Sequence, residues 1–542
     1  MNGDDDDGVG FVAESHYLKS PTIAQQQAMA LLQVPRREGR EPSMSSNLSD
    51  LDVPIYSSEN LTTQLPRRQF HGGLNGKLVF AISAASLGSA FQHGYSTGVM
   101  NNPQSVLEDW MRGVLKERNG QTPEDTTITL LWSLVISIYC VGGMIGGLIT
   151  GIIAEKLGRK MGLLFSNIFI VLAAICTATA KPTSSIELII ISRFLTGLNA
   201  GLNAGITPMY LAEISPTNLR GAVGSVYQLV ITISILVSQI LGIRSVFGNE
   251  DSWPILLTLI MIPCIFQLAT FPFCPESPKH LLISKGQEVE AQRALIWLRC
   301  THEVHEEMEQ MKSEAEAMKL VPKVALTDLI VNGALRQPLI ISLMVMLAQQ
   351  LSGINAVINF STDIFKTAHL SETNAMGATM GIGLVNVLMT LVSVVLIEKA
   401  GRKTLLTAGF AGMIVSTVLL TIALTFAKDS TVASIFCIVF VVLYIITFAT
   451  GPGSIPWFLV SELFSQSARP TAASLAVFTN WFANFLVGLT FLPIKDAIGS
   501  NVFIIFIVLQ ILFLIFIWRK VPETKNKSIE EISALFRQKS YE

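Results

Sequence analysis

Seven uncharged amides stand in otherwise apolar stretches of this 542-residue chain: Gln228, Gln349, Gln350, Asn355, Asn386, Asn480 and Asn484. Each offers two N–H donors and acceptor lone pairs without a charge, which is the chemistry for gripping a neutral solute rich in hydroxyl groups. Gln350 and Asn355 are five residues apart, and Asn480 and Asn484 are four apart. Each pair therefore faces roughly one side of a helix. Trp457 and Trp481 add flat apolar faces nearby in sequence. The competing reading is glue between helices, a common use of Asn and Gln in membranes. One isolated amide favours glue; a cluster favours binding.

A second group is charged and recurs. Gly158-Arg159-Lys160 returns as Gly401-Arg402-Lys403, 243 residues on, with Glu398 just before it. Glu213 and Arg220 return as Glu462 and Arg469, both 249 residues on, and Glu276 returns as Glu523, 247 residues on. Acid–base pairs at helix ends can bridge neighbouring helices, and the expectation is a latch that holds one closed state and breaks on opening. Topology markers and helix caps are the alternative for any single cluster, but acidic residues contribute little to topology. Arg193 joins this group because an arginine within an apolar span calls for a partner.

Other chemistry is not expected. The six cysteines, at 140, 176, 264, 274, 300 and 437, have no metal-ligand spacing. No nucleophile–base pair, phosphate loop or metal cluster is legible, so neither an enzyme nor a cofactor is expected. Aromatic–basic interleaving for nucleic acid is missing too.

These residues must be positioned by membrane helices. Half the residues are hydrophobic and only 14% are charged, against about 25% in soluble domains. Runs of roughly 20 apolar residues cross about 30 Å of hydrocarbon. They are read near 77–100, 130–153, 162–180, 186–210, 222–243, 253–273, 338–361, 376–397, 404–427, 432–460, 470–494 and 500–518. Glycines at four-residue spacing, Gly143/Gly147/Gly151 and Gly197/Gly201/Gly205, predict close helix contacts. With both termini in the cytoplasm the basic clusters fall inside, as the positive-inside rule requires. Residues 1–75 read as a disordered tail, and 286–320 as short amphipathic helices bracing two halves. Ser528 and Glu531 begin a C-terminal helix with a capping box. The common offset of the charged markers implies duplication of a six-helix unit, and repeats of this kind build rocking transporters. Gly451-Pro452-Gly453-Ser454-Ile455-Pro456-Trp457 must break its helix, as an inner gating hinge with Trp457 as its plug.

Gly158-Arg159-Lys160, Pro275-Glu276-Ser277-Pro278-Lys279, Gln349-Gln350-Leu351-Ser352-Gly353-Ile354-Asn355, Gly451 to Trp457 and Pro522-Glu523-Thr524-Lys525 together resemble the sugar porter family of the major facilitator superfamily. Within it, the chain is similar to the animal facilitative glucose transporters over about 77–536. The resemblance implies an all-α membrane protein of twelve spans in two six-helix halves with a cytoplasmic helical bundle. It divides the chain into a tail (1–75), a first domain (76–275), a linker (276–337), a second domain (338–521) and a C-terminal segment (522–542). It implies a plasma-membrane uniporter of hexoses, D-glucose first and fructose in addition, with the hexose and the lipid bilayer as its partners. It maps the seven amides, Trp457 and Trp481 onto sugar-contacting positions, and Ile231 and Ile235 onto an apolar wall. A non-transporting sugar sensor and a proton-coupled symporter are the alternatives. Proton-coupled relatives carry an Asp where this chain has Ser96, which cannot take up and release a proton at physiological pH. His93 beside it is read as a packing residue. Three departures stand out: Met346-Leu347-Ala348 replaces Gln-Leu-Ser, Asn359-Phe360 replaces a Tyr-Tyr pair, and Ala449 replaces an acidic residue.

Overall fold

The computed structural model describes residues 73–541, apart from 217, 321–323, 466, 526 and 528. The expected tail, but for residues 73–75, and Ser528 of the expected capping box lie outside the described residues. Among those described, every regular element is helical. Ten helical stretches are long and apolar enough to cross a membrane.

A first helical set begins with α1 (Gly76–Ala85), which passes through a π-turn at Ser86–Ala90 into α2 (Phe91–Gly98). A helix too polar to span, α3 (Gln104–Asn119), precedes α4 (Asp125–Lys156), α5 (Arg159–Ala180), α6 (Ile186–Ile214) and α7 (Arg220–Leu241). Two short helices, α8 (Trp253–Thr258) and α9 (Met261–Thr270), close the set. After α10 (Glu288–Arg299), α11 (His305–Leu320) and α12 (Leu326–Val331), a second set starts with α13 (Gly333–Gln349). It too passes through a π-turn, at Gln350–Ile354, into α14 (Asn355–Thr367). Then follow α15 (Glu372–Ala400), α16 (Arg402–Phe426), α17 (Thr431–Thr450), α18 (Ile455–Leu463), α19 (Arg469–Ile498), α20 (Val502–Lys520) and α21 (Ile529–Tyr541). The expected span at 432–460 is in fact two helices, parted at Gly451–Ser454, because two prolines and two glycines interrupt the backbone ladder there.

The packing is that of a lipid-facing bundle. Ile152, Ile175, Val415 and Ile435 are more than half exposed on outer faces, while the interior mixes apolar clusters with buried Ser, Thr, Asn and Gln. Glycine sets the closest approaches. A Cβ on Gly142 would lie 2.2 Å from Phe194 O of α6, and one on Gly201 would lie 2.4 Å from Gly143 O of α4. The glycines of α4 serve different neighbours. Gly142 and Gly146 meet α6, Gly143 and Gly147 meet Trp481 and Val477 of α19, and Gly151 meets nothing. Helix α4 is thereby squeezed between its own set and the other.

Of the helices between the sets, α10 and α11 are tied to the first and α12 to the second. Ala291, Leu295, Met308 and Met311 close on one another, while Leu298 is buried in the core of the first set and Leu329 in that of the second. Arg299 Nη1 donates to Ile214 O (2.8 Å), and Asn75 Nδ2 donates to Leu298 O (2.8 Å). Among the described residues the bonds of α10 and α11 lead to the first set, contrary to expectation. Helix α21 docks under the second set, with Ile532 and Phe536 buried among Leu339, Leu459 and Phe513.

Candidate solute-binding site

The break between α13 and α14 builds the centre of the site. Gly353 takes φ +103°, and a Cβ there would meet the Phe506 ring at 3.1 Å, so only glycine suits the turn. Ser352 O, freed from the helical ladder, accepts from Gln510 Nε2 (2.8 Å) and Tyr444 OH (3.1 Å). The turn brings Asn355 Nδ2 to donate to Gln350 Oε1. Gln350 Nε2 donates to Asn480 Oδ1 of α19 at 2.9 Å, and Asn480 Nδ2 donates to Gln349 Oε1 at 2.7 Å. Gln349 Nε2 reaches the carbonyls freed at the α17–α18 break, Pro452 O at 2.9 Å and Gly453 O at 2.8 Å. Gln349 therefore ties the two broken helices together, while Gln350, Asn355 and Asn480 form the polar centre.

The side chains of Gln228, Asn386 and Asn484 are half-buried and have no hydrogen-bond partner among the described residues. Trp481 is buried where the sets meet. Its ring stacks on His93 (5.8 Å), meets Tyr139 edge-on (5.7 Å) and covers Gly143. His93 Nδ1 lies 3.0 Å from Tyr227 OH, so this histidine is hydrogen-bonded as well as stacked. Trp457, in the first turn of α18, is 39% exposed beside the break. Ile231 and Ile235 are buried on α7 against α2: a Cβ on Gly98 would meet Ile235 Cγ2 at 3.0 Å.

Sequence reasoning missed a second amide network, in the first set. Gln92 Nε2 donates to Asn167 Oδ1 (2.8 Å), Asn167 Nδ2 to Gln267 Oε1 (2.8 Å), and Gln267 Nε2 to Ser89 Oγ (2.7 Å). Asn199 and Asn203 adjoin it through Ser166 and the Ser89 carbonyl. A signal was available: Gln267 and Gln510 are 243 residues apart, the offset of the charged turns, and each holds the π-turn of its own set.

The charged turns form two matching nests. Arg159 clasps Glu213 (Nη2–Oε1, 2.8 Å), and Arg402 clasps Glu462 (2.9 Å). Glu276 accepts from the backbone N–H of Arg159 (3.0 Å) and Lys160 at the start of α5. Glu523 accepts from Arg402 N (2.8 Å) and Lys403 N at the start of α16. Gly158 and Gly401 turn the chain at φ +93° and +91°. Burial opposes the charge on Glu523, but backbone donors from Lys525, Arg402, Thr404 and Lys403 outweigh it and hold the carboxyl below its ordinary range. Each of these pairs lies within one set. Arg220 and Arg469 instead donate to nearby carbonyls, Ala212 O and Phe464 O. Glu398 sits in the last turn of α15.

Arg193 is a correction. It lies in the interior of the first set, away from the nests, and it finds no carboxylate. It donates to Ser96 O (2.9 Å) and lies over the Tyr139 ring (4.5 Å).

At the opposite end of the bundle the two sets are stitched together. Asn101 Nδ2 donates to Ile358 O and Ser361 Oγ (both 2.7 Å). Thr362 Oγ1 donates to Asn102 Oδ1 (2.9 Å), and Arg244 pairs with Glu372 (3.2 Å). The family's Tyr-Tyr position holds Asn359 and Phe360, both buried, with Phe360 stacked on Phe491 at 5.4 Å.

Residues 81–536 match the family model described as sugar (and other) transporter. The chain belongs to the sugar transporter family. This transporter is 44% identical over 459 residues to the protein named solute carrier family 2, facilitated glucose transporter member 3, of Canis lupus familiaris, covering 85% of this chain and 92% of that protein. The Homo sapiens protein of the same name is 42% identical over the same length. Among solved structures, the partially occluded inward-open xylose transporter XylE from E. coli aligns with a TM-score of 0.71 at 22% identity, covering 84% of this chain and 100% of that one. Its inward-open form gives 0.71 at 23% identity, covering 84% and 99%. The transporter thus has the all-helical, multi-pass architecture of that superfamily and is not an enzyme.

Proposed function

We propose that this transporter is a facilitative hexose uniporter working by alternating access, with D-glucose as its principal solute. The observation that carries the reading is the cluster Gln350–Asn355–Asn480, with the unpartnered amides Gln228, Asn386 and Asn484. It is neutral, rich in donors and acceptors, and belongs to a chain 42–44% identical to proteins named facilitated glucose transporters. Trp457 and Trp481 supply ring-stacking faces, and Ile231 and Ile235 an apolar wall. Twelve spans arise when α1–α2 counts as the first and α19 and α20 as separate crossings, parted at Gly499–Asn501. They form two rocking six-helix domains in the plasma membrane, 76–275 and 338–521, with the tails and the linker helices in the cytoplasm.

On that orientation the stitched end faces outward, and the conformation is inward-facing. In the outward-facing state the nests part and their charges, with Arg220, Glu398 and Arg469, re-pair across the two domains as the inner latch. Uniport is favoured over proton symport because Ser96 stands where proton-coupled relatives carry an acid, and Gln350 bonds amides and no carboxylate among the described residues. Uptake of labelled glucose and fructose in a cell lacking hexose transport, with Gln350→Ala as control, tests the assignment. Wild-type uptake insensitive to pH between 5.5 and 8 is expected. Acidification of the cells on sugar addition would make the chain a symporter, and failure of counterflow in proteoliposomes would make it a sensor.

A further inference from the structure

Arg193 is a feature of the interior that the sugar reading does not absorb. The residue is 5% exposed, and its guanidinium is permanently charged. A buried charge deprived of its counter-charge is strongly destabilising. Here the partners are a carbonyl, Ser96 O, and the face of Tyr139. Both are favourable and neither is an anion. Arg193 Nε is buried and has no hydrogen-bond partner.

Beside it is a cavity of about 20 Å³ lined by Ser96, Thr177, Ser192, Thr196 and Arg193, with Tyr95 and four aliphatic side chains completing its wall. The first five are each less than a tenth exposed. Thr196 spends its hydroxyl proton on Arg193 O. Thr177 and Ser192 share one hydrogen bond at 2.7 Å, which leaves one of their two protons free to donate. The Ser96 hydroxyl has no partner among the described residues. The cavity thus presents a guanidinium N–H, up to two hydroxyl donors and a net positive charge, without an acid in its lining. A cavity of this size holds one water-sized particle.

We propose that this cavity is a binding site for a single monatomic anion, chloride, held by Arg193 with Ser96 and the Thr177–Ser192 pair. Water would satisfy Nε but leave the charge uncompensated. Sulfate, phosphate and gluconate are too large. The anion joins α2 to α6 through Ser96 and Arg193. Thr97, next to Ser96, lies 3.2 Å from Tyr139 OH, and Tyr139 packs on Trp481. Occupancy therefore stiffens the wall on which the Trp481 ring rests. The site requires nothing of the hexose reading and is tested without transport.

The test is thermal unfolding of the purified full-length chain in detergent, at constant ionic strength, as chloride replaces gluconate, with parallel titrations in bromide and sulfate. Chloride and bromide should raise Tm saturably by at least about 2 °C, and sulfate should not. Arg193→Gln should lose the response. Ser96→Asp, which places a carboxylate beside Arg193, should lose it too while unfolding at a higher Tm in gluconate than the wild type. Equal Tm in chloride and gluconate would overturn the proposal and leave the cavity to water. A halide response retained in Ser96→Asp would overturn the assignment to this site, and that holds even if Arg193→Gln fails to fold.

Discussion

The amides of the two helical sets are spent differently. In the first set Gln92, Asn167, Gln267 and Asn203 are at most 1% exposed; the first three bond one another across α2, α5 and α9, and Asn203 of α6 adjoins them through Ser166 Oγ and Ser89 O. In the second, Gln350, Asn355 and Asn480 sit at a helix break, and Asn386 and Asn484 are left half-buried without partners. The first network is wholly buried, whereas Asn386 and Asn484 of the second set, like Gln228 on α7, keep donors and acceptors unspent among the described residues and so available to a solute.

That contrast predicts the largest effects. Gln350→Ala should lower kcat/KM for hexose uptake about tenfold or more, the scale of a lost buried hydrogen bond of ~1–3 kcal/mol. Asn167→Ala should instead lower thermal stability while the folded protein keeps its KM. Uptake kinetics and unfolding measured on both variants decide it; the opposite pattern would erase the distinction between the networks.

Why was one network legible and the other not? The second set announced itself because Gln349, Gln350 and Asn355 crowd into seven residues beside a glycine. Gln92, Asn167 and Gln267 are scattered over 176 residues, each an isolated amide in an apolar run. Only the fold brings them together. The charged turns were legible as a repeat, because Gly158 and Gly401 need the same positive φ and each Glu caps the same helix start. Their pairing was not, since Arg159 reaches Glu213 across 54 residues rather than any charge near it in sequence. Arg193 misled for the same reason: its neighbours are a ring and a carbonyl, which leave no charge signature.

A smaller effect concerns the glycines of α4, which also face two ways. A Cβ on Gly143 would lie 2.5 Å from the Trp481 ring, while Gly151 has open space around it. Gly143→Val should push α19 away from α4 and lower the maximal uptake rate severalfold. Gly151→Val should be close to neutral. Equal loss in both would mean that helix propensity, not contact between the sets, limits transport.

The two ends of the bundle should also respond to pH in opposite senses. At the stitched end, burial raises the Glu108 carboxyl to about 7. The Gln104 hydrogen bond and Lys495 pull it down, and Asp363 and Asp109 push it up. Between the ordinary carboxyl value and about 7, the folded chain holds a proton that the unfolded chain has lost. Stability from this group is therefore full in acid and falls as pH rises through that window. Glu108→Gln should flatten the decline in Tm between pH 5 and 7.5; an unchanged decline would place the titrating group elsewhere.

The nest of the first set gives the smallest and most local prediction. His280 is buried, with Nδ1 2.7 Å from Arg159 Nη1 and Nε2 unpartnered. Burial first and Arg159 second hold its pKa below the ordinary histidine value, against the pull of Glu276 and Glu213. As pH falls below about 6.5, the unfolded histidine takes a proton that the folded one refuses, so stability is full above that pH and declines beneath it. The matching position in the other nest, 247 residues on, is Lys527, so the acid sensitivity belongs to one nest of the pair. His280→Gln should remove the fall in Tm between pH 6.5 and 5, while Arg402→Ala should lower Tm equally at both pH values. If His280→Gln keeps the acid slope, the asymmetry between the nests has no energetic consequence, and the two turns are equivalent in function as well as in geometry.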